Sequence, residues 1–411
     1  MKPDITLIFP DSPFLEVKTM FPPLGIMYIS SYLKHFGQTV QCLDMALGHK
    51  AEDAESGLIG ISFTTPQREP AFELIRHFKR EGKTVVVGGP HPTHMEVECL
   101  NAGADKVFKG HGEHDLLEWM VDAKVSRLSI DQIPYPDREV LPLMGYTQFI
   151  DDRLATAIMA ARGCPFDCSF CSQVDSTYAP QSADRTLAEI FHIREKYGFN
   201  AFTLYDDCFL IDKRRLSSIS QALEGEDMRF RCFARTSSVT DEKAELLAKM
   251  GTVAVGLGVE SGSEKILKIN MKGTTRRKNT EAIKSLQKVG IEAKAFLIIG
   301  LPGETLETIQ ETLSWIEEAR PDAVGVSIFQ PLPGSAIFND PNKWGINFQY
   351  DGQPLVYRGK RGEYVSNVST PLLSASEVVN CHTMVEDFHK ENIQDVDSVH
   401  FKDTSRGKEH S

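Results

Sequence analysis

The sequence predicts an α/β protein that begins with a doubly wound, Rossmann-like parallel sheet and continues as a partial (β/α)6 barrel. Short apolar runs alternate with segments of helical periodicity over most of the 411 residues, and this alternation is typical of parallel sheets covered by helices. A proline-containing stretch over residues 124–150 interrupts the pattern once. Because proline blocks regular structure, we interpret this stretch as a linker between two domains.

The composition excludes several classes of protein. A net charge of −12 disfavours an extended nucleic-acid surface, which would need a basic face. No apolar run approaches the ~20 residues that cross a bilayer, and the first residues contain too short an apolar run for a signal peptide. Eight cysteines, three of them in one loop, fit a reducing compartment better than a disulfide framework. We therefore expect a cytoplasmic protein that binds neither membrane nor nucleic acid.

The first domain is expected to cover residues 1–123. The expected strands are Ile5–Phe9, Thr39–Leu43, Leu58–Phe63, Thr84–Val87 and Lys106–Phe108, and the expected helices are Leu24–Phe36, Gln67–Glu81 and Glu113–Val121. Sheets of this kind bind ligands beyond the carboxyl ends of their strands. Glycines at those ends let the backbone approach a bulky or phosphate-bearing ligand, although each loop alone also fits a plain turn. The candidate binding residues are Thr64, Thr65, Gly88, Gly89, His91, Gly110, Gly112 and Glu113.

The stretch with the clearest chemistry is Ala161–Gln173, which reads ARGCPFDCSFCSQ. It sets Cys164, Cys168 and Cys171 in a C-x3-C-x2-C spacing, with Phe170 directly before the third cysteine. Three thiolates in one loop can hold three irons of a 4Fe–4S cluster and leave the fourth iron without a protein ligand. Half of a structural zinc site fits less well, because zinc needs a fourth ligand and usually C-x2-C pairs.

The second domain is expected to cover residues 151–335. Six strands fall short of the eight of a closed barrel, so the pattern predicts an open partial barrel with its site at the carboxyl ends of the strands. The expected strands are Ala155–Ala161, Ala201–Tyr205, Arg229–Ala234, Val253–Val259, Ala293–Ile299 and Ala323–Phe329, with helices at Leu187–Tyr197, Lys213–Leu223, Asp241–Met250, Thr275–Val289 and Thr305–Ala319.

The cysteine loop resembles the cluster loop of the radical S-adenosylmethionine (SAM) superfamily. The resemblance implies that the open iron chelates SAM and that a reduced cluster cleaves SAM to a radical able to take hydrogen from an unactivated carbon. It also implies an electron donor such as flavodoxin or ferredoxin. Asp206 or Asp207 suits the ammonium of SAM, Arg235 or Ser261 its carboxylate, and Glu260 its ribose. The remaining expected cofactor contacts are Phe170, Tyr205, Gly300, Pro302 and Gln330.

Two features of the second domain are not explained by that resemblance. Relatives often carry an Arg-Ser pair after the cluster loop, where this chain has Gln181-Ser182. Cys208 and Cys232 follow or occupy predicted strands, but no second cluster spacing includes them. We interpret both as buried apolar residues.

The first domain resembles the cobalamin-binding domain that precedes many radical SAM domains. The resemblance rests on the order and spacing of four segments, PPLGIMYISSYL, GISFTT, GGPHPT and FKGHGE, and on the linker IDQIPYPDREVLP. Cobalamin domains of the methionine-synthase type ligate cobalt with a histidine in the loop after the first strand. That loop reads FPDSPFLE here and has no histidine. The resemblance therefore implies a cofactor with its own base displaced and no histidine in its place.

The C-terminal residues are less informative. Residues 336–394 are expected to form a mainly helical extension, in which a capping box at Ser374 and Glu377 opens an amphipathic helix. We interpret His382 on that helix as a surface or packing residue. The stretch 344–364 is expected to cap the mouth of the barrel, and the polar tail 395–411 to be disordered.

Together the resemblances imply an enzyme that uses a 4Fe–4S cluster, SAM and cobalamin to methylate a weakly activated carbon of a small-molecule substrate. The alternative is a cobalamin-domain radical SAM enzyme that catalyses cyclisation, ring contraction or another rearrangement. An RNA methylthiotransferase fits less well, since that family has three further cluster cysteines. A metal-bearing sensor or scaffold would not need strand ends suited to SAM.

Overall fold

The computed structural model describes residues 2–13, 15, 17–348 and 364–392. They form two units. The first contains the chain up to Thr147 together with Gln173–Asp175, and the second contains Gln148–Ser172 and the residues from Ser176 onward. Most of the expected barrel cap, 349–363, and the whole expected tail, 395–411, lie outside the described residues.

The first unit has a five-stranded sheet in which every neighbouring pair of strands is parallel, in the order β2-β1-β3-β4-β5. The order reverses between β1 and β3, and open sheets of this kind bind ligands at such a switch point. The strands are β1 Ile5–Phe9, β2 Val40–Asp44, β3 Leu58–Ser62, β4 Thr84–Gly88 and β5 Lys106–Val107, and the helices are α1 Leu24–His35, α2 Arg68–Arg80, α3 Pro90–His94, α4 Glu96–Asn101 and α5 Glu113–Val121.

The predicted doubly wound architecture is confirmed, and its apolar pattern explains why. The strands are buried runs, and α2 buries Ala71, Phe72, Ile75 and Phe78 on one face against them. Helices α3 and α4 were not predicted, since the sequence analysis expected only a loop after β4. Proline is tolerated in the first turn of a helix, where its missing N–H has no intrahelical partner. The tight Gly-Gly-Pro segment therefore begins a helix directly.

The second unit has a seven-stranded sheet in the order β14-β13-β12-β11-β10-β7-β6. Strands β7 and β10 to β14 pair in parallel and form the expected partial barrel, whereas β6 pairs antiparallel with β7 at the edge. Strands β8 and β9 lie outside this sheet and form a separate antiparallel pair. The strands are β6 Gln148–Ile150, β7 Arg153–Ile158, β8 Ala161–Arg162, β9 Ala179–Pro180, β10 Ala201–Leu204, β11 Arg229–Arg235, β12 Thr252–Glu260, β13 Glu292–Ile299 and β14 Ala323–Ile328.

Helices of the second unit begin where the sequence supplies a capping side chain. Their bounds are α6 Ala183–Tyr197, α7 Lys213–Leu223, α8 Asp241–Lys249, α9 Glu264–Ile269, α10 Arg276–Lys288 and α11 Leu306–Ala319. The preceding side chain accepts a hydrogen bond from the first turn in five of them, at Ser182, Asp212, Thr240, Thr275 and Thr305. None of the helices in the described ranges combines the length and apolar character needed to cross a bilayer.

The C-terminal extension contains the short elements α12 Ala336–Asn339, β15 Asn347–Phe348 and β16 Val368–Ser369, and the long helix α13 Ala375–Asn392. The capping box at its start is present, since Glu377 N donates to Ser374 Oγ and Ser374 N donates to Glu377 Oε2. His382 is 1% exposed, and its Nε2 lies 3.2 Å from the carbonyl oxygen of Val326. It is a packing residue of the interface between α13 and β14.

We predict that Gly89→Ala destabilises the first unit. Gly89 has φ of 99° and ψ of −175°, a conformation that costs other residues about 1–3 kcal/mol. An added Cβ would also lie 2.9 Å from both the N and the O of Phe63, and overpacking costs about 1–3 kcal/mol. Urea unfolding should show a loss of at least about 2 kcal/mol.

The matched control is Gly57→Ala, where no heavy atom lies within 4 Å of the added Cβ. It should leave the free energy of unfolding nearly unchanged. Equal stability of the two variants would contradict the steric argument.

Candidate functional site

The cysteine loop follows β8 and is closed at its base by antiparallel pairing of β8 with β9. The sequence predicted one strand, Ala155–Ala161, leading into the loop. Instead β7 ends at Ile158, and Ala160 N donates to Asp206 Oδ1 at 2.6 Å. The chain therefore leaves the sheet before the loop begins, and a carboxylate replaces the neighbouring strand as the hydrogen-bond acceptor.

Hydrogen bonds fix the loop between its cysteines. Ser169 N donates to the carbonyl oxygen of Asn270 at 3.2 Å, and the Asn270 side chain donates to the carbonyl oxygen of Pro302 at 3.1 Å. Ser172 Oγ donates to the carbonyl oxygen of Pro333 at 2.5 Å. The loop is thus held directly by segments that follow β12 and β14, and the first of these is held in turn by the segment that follows β13. Sequence reasoning missed Asn270, because it lies after a short helix and not at a strand end.

Two side-chain donors contact sulfur atoms of the loop. Arg235 Nη1 lies 3.0 Å from Cys168 Sγ, and the guanidinium carbon lies 3.9 Å from the ring centroid of Phe166. Cys208 Sγ lies 3.2 Å from Cys164 Sγ. The sequence predicted Arg235 as a contact of the SAM carboxylate, and its contact with a cysteine sulfur was not foreseen.

The contact between Cys208 and Cys164 favours the thiolate of Cys164. The hydrogen bond from Cys208 lowers the pKa of Cys164 to about 6, and the same bond raises the pKa of Cys208. A thiolate is the form of cysteine that binds metals. The interpretation of Cys208 as a buried apolar residue is therefore incomplete, because it is 3% exposed but makes a polar contact.

The two aspartates after β10 have different surroundings. Asp206 is 2% exposed and accepts the hydrogen bond from Ala160 N, and burial raises its pKa to about 7. Asp207 is exposed, as is the neighbouring Tyr205, whose ring packs edge-on against Phe233. Asp206 therefore supports the entry to the cysteine loop, whereas Asp207 is accessible to a ligand.

Glu260 adopts a positive φ of 66° where the pairing register shifts at the end of β12. Its carboxylate forms a buried ion pair with Lys272 Nζ at 2.6 Å. A Cβ at Gly258 would lie 2.7 Å from Glu260 Oε1 and 2.9 Å from Lys272 Nζ, so a side chain there would displace the ion pair from this position. The Ser261 hydroxyl is 3.3 Å from Thr312 Oγ1, on the helix side of the sheet. Sequence reasoning missed Lys272, which lies in an irregular segment.

The ends of β13 and β14 contribute backbone and an amide. Gly300 has φ of 96°, and its N–H donates to Glu304 Oε2 at 2.5 Å. Burial raises the pKa of Glu304 to about 8. Gln330 is 6% exposed, and neither its Oε1 nor its Nε2 has a hydrogen-bond partner among the described residues. A buried amide of this kind is available to a polar ligand.

A buried guanidinium lies beside the Gln181-Ser182 segment, where relatives often have arginine. It belongs to Arg215 on α7, which donates to the carbonyl oxygens of Gln181 at 2.7 Å and Ala160 at 2.8 Å. Its charge also favours the ionised form of Asp206. The cation near this segment therefore comes from a different element of the chain.

The cysteine loop fits a 4Fe–4S cluster. Within the described ranges, no set of three or more His, Cys, Asp or Glu side chains converges on a single metal ion. A cubane cluster does not require such convergence, because its thiolate ligands bind separate irons. Cys164 and Cys168 are partly buried and Cys171 is exposed, and Arg235 brings positive charge to a set of anionic sulfurs. This donor set suits a cluster with anionic ligands.

In the first unit, Gln67 connects the two loops of the switch point. Its Oε1 accepts hydrogen bonds from N and Oγ1 of Thr64, both at 3.0 Å. Its Nε2 donates to the carbonyl oxygen of Pro10 at 2.9 Å and to Ser12 Oγ at 3.0 Å. Sequence reasoning missed Gln67 because it was predicted as an ordinary helix residue.

The remaining candidates of the first unit divide into buried and rim residues. His91 is wholly buried, with its Nδ1 3.2 Å from Thr65 Oγ1 and its ring 5.4 Å from that of Phe63. It therefore joins the loops after β3 and β4. Among Gly88, Gly89, Gly110 and Gly112, only Gly110 has no heavy atom within 4 Å of an added Cβ, and Glu113 is 7% exposed at the start of α5.

Two family models match separate parts of the chain. Residues 158–316 match the radical SAM superfamily and residues 13–118 match the B12 binding domain. An uncharacterised methyltransferase of Pyrococcus horikoshii is 28% identical over 370 residues, which cover 78% of this chain and 79% of that protein. The anaerobic magnesium-protoporphyrin IX monomethyl ester cyclase of Rubrivivax gelatinosus is 26% identical over 372 residues, which cover 79% of this chain and 67% of the cyclase.

Solved structures share the fold. The radical SAM methyltransferase TsrM of Kitasatospora setae, with cobalamin and a 4Fe–4S cluster bound, superposes with a TM-score of 0.68 at 17% identity and covers 89% of this chain and 84% of TsrM. The cobalamin-dependent radical enzyme OxsB superposes with a TM-score of 0.66 at 20% identity and covers 84% of this chain and 56% of OxsB.

We predict that Cys168→Ala abolishes cluster assembly. Anaerobically reconstituted wild-type chain should hold close to four irons, as a cubane requires, and absorb broadly in the visible. The variant should lose this absorbance and its capacity to cleave SAM reductively. Cys99→Ala, which changes a buried cysteine of the first unit, is the control and should retain its iron. Full 5′-deoxyadenosine production by Cys168→Ala would refute the assignment.

A second prediction concerns the lower face of cobalt. The loop after β1 reads FPDSPFLE and has no histidine, and the resemblance implies that the cofactor's own base is displaced. Bound cob(II)alamin should therefore have no nitrogen ligand on that face. Electron paramagnetic resonance (EPR) of the reduced protein should show cobalt hyperfine lines without nitrogen superhyperfine splitting. Observed nitrogen splitting would contradict the prediction.

Proposed function

Because the chain belongs to the radical SAM enzymes that carry a B12-binding domain, we propose that it methylates a weakly activated carbon of a small-molecule substrate. The cofactors of these two domains are a 4Fe–4S cluster, SAM and cobalamin. When bound, they supply the electron that cleaves SAM and the methyl group that is transferred. The observation that carries the proposal is the presence in one chain of the three-cysteine loop and a B12-binding domain, with similarity to a methyltransferase over 78% of its length.

The cluster is assigned to Cys164, Cys168 and Cys171. Among the two aspartates, we assign the ammonium of SAM to Asp207, because Asp206 is buried and bound to Ala160 N. The exposed carboxylate of Asp207 does not bind Ala160 N and can accept a charge-assisted hydrogen bond from the ligand.

The other contacts of SAM follow from the strand ends. Glu260 is assigned to the ribose, because its ion pair with Lys272 fixes the carboxylate and leaves an oxygen for the diol. Arg235 is favoured over Ser261 for the SAM carboxylate, because its buried Nε has no hydrogen-bond partner among the described residues, whereas the Ser261 hydroxyl lies close to Thr312. The side-chain amide of Gln330 and the backbone at Gly300 and Pro302 are assigned to adenine. Phe170 and Tyr205 supply aromatic surface beside this site.

Cobalamin is assigned to the carboxyl ends of the first sheet. The residues assigned to that site are Thr64, Gly88, Gly89, Gly110 and Gly112, together with the buried Glu113. Thr65 and His91 are assigned a supporting role, since their contact with each other holds two of these loops. Gln67 is added for the same reason, because it joins the loops on either side of the switch point.

The proposal also includes a reductant and a compartment. A low-potential protein such as flavodoxin or ferredoxin is the proposed electron donor for the cluster. All eight cysteines are free thiols in the structure, which supports a reducing compartment such as the cytoplasm.

Anaerobic turnover with methyl-deuterated SAM and candidate metabolites tests the reaction. Each turnover should place one labelled methyl group in the product, and 5′-deoxyadenosine and S-adenosylhomocysteine should form in nearly equal amounts. Two SAM molecules are consumed, because one forms the radical and the other restores the methyl donor. Cys171→Ala should form none of these products.

A cyclisation or rearrangement is the second candidate, favoured by the similarity to a cyclase over 79% of this chain. That reaction would consume substrate and yield 5′-deoxyadenosine with little S-adenosylhomocysteine and no label in the product. Such a result would decide against methyl transfer.

A further inference from the structure

We infer that Cys208 and Arg235 are positioning residues that set the reduction potential of the cluster, each by donating a hydrogen bond to a different cysteine ligand. The inference rests on the proposed assignment of Cys164 and Cys168 as ligands. It does not depend on methyl transfer, because the potential is a property of the cluster without substrate.

The position of Cys208 suits a donor to Cys164. The two sulfur atoms are 3.2 Å apart, which is longer than the ~2.05 Å of a disulfide bond and short enough for an S–H···S hydrogen bond. The thiol has little freedom to turn elsewhere, because Cys208 is 3% exposed and the following Phe209 and Leu210 are each 1% exposed. These apolar residues anchor the segment after β10, so the thiol is held against the ligand.

Arg235 is held just as firmly against Cys168. Its guanidinium stacks on Phe166 with 3.9 Å between the guanidinium carbon and the ring centroid, and its Nη2 donates to the carbonyl oxygen of Lys272. A Cβ at Gly273 would lie 3.3 Å from Nη2, so the backbone also closes on this side. Nη1 points to the sulfur at 3.0 Å, and Nε has no hydrogen-bond partner among the described residues. The positive charge therefore has a fixed place beside one ligand.

Both contacts should raise the reduction potential. The reduced cluster carries one more electron than the oxidised cluster, and hydrogen bonds to its sulfur ligands and nearby positive charge stabilise that more negative state. Arg235 adds charge as well as a donor, whereas Cys208 adds only a neutral donor. The effect of Arg235 should therefore be the larger of the two.

The experiment is a redox titration of the reconstituted full-length chain, followed by EPR in the absence of SAM and substrate. We expect Cys208→Ala to lower the ratio of reduced to oxidised cluster about tenfold at a fixed applied potential, which corresponds to a shift of about 59 mV. Arg235→Gln should produce a shift at least as large. The control is Cys232→Ala, because Cys232 is a wholly buried thiol within β11. The reduction potential of the cluster in this variant should match that of the wild type.

A second readout separates a hydrogen bond from a packing effect. Electron–nuclear double resonance of the reduced cluster in H₂O and D₂O should show an exchangeable proton that is lost in Cys208→Ala and kept in Cys232→Ala. If Cys208→Ala fails to take up four irons, Cys208→Val takes its place in the experiment, because valine also lacks the donor and fills more of the space. Unchanged potentials in Cys208→Ala and Arg235→Gln would overturn the inference while leaving the cluster assignment intact. Absence of a cluster from the wild type would overturn both.

Discussion

The cysteine loop depends on hydrogen bonds that come from distant parts of the chain. It has little regular structure of its own, and its conformation is fixed by Asn270, Pro333 and Asp206. These residues follow different strands of one parallel sheet, and the carboxyl ends of such strands meet at one edge. The loop proposed to hold the cluster is therefore rigid only when the whole sheet is folded. Assembly of the metal site should follow folding of the barrel and not precede it.

Buried carboxyl groups hold the backbone in place where it leaves two of the strands. Asp206 accepts from the backbone of Ala160, and Glu304 accepts from the backbone of Gly300. In both cases the backbone leaves a strand and has lost the neighbour that would have accepted its N–H. A buried N–H without a partner is costly, so a short acidic side chain close by in space stabilises the departure from the sheet.

Much of this architecture could be predicted from local sequence. Apolar periodicity gave most strands to within one or two residues, because burial on a parallel sheet leaves a continuous apolar run. The cysteine spacing and the strand-end glycines were visible for the same reason, since each is a local pattern. Cys208, Lys272, Asn270 and Gln67 were missed because their roles arise only from contacts with residues far away in sequence. The edge strand β6 was missed because three residues carry too little periodicity.

That short edge strand has a practical consequence for dividing the chain. β6 covers Gln148–Ile150 and pairs antiparallel with β7, so it occupies the hydrogen-bonding edge that β7 would otherwise present. The boundary expected from the prolines places residue 150 in the linker, and a fragment that begins at residue 151 would lack this strand. The N–H and C=O groups on the exposed edge of β7 could then pair with those of another copy of the fragment, which is a common route to aggregation. A fragment meant to isolate the barrel should therefore begin before Gln148.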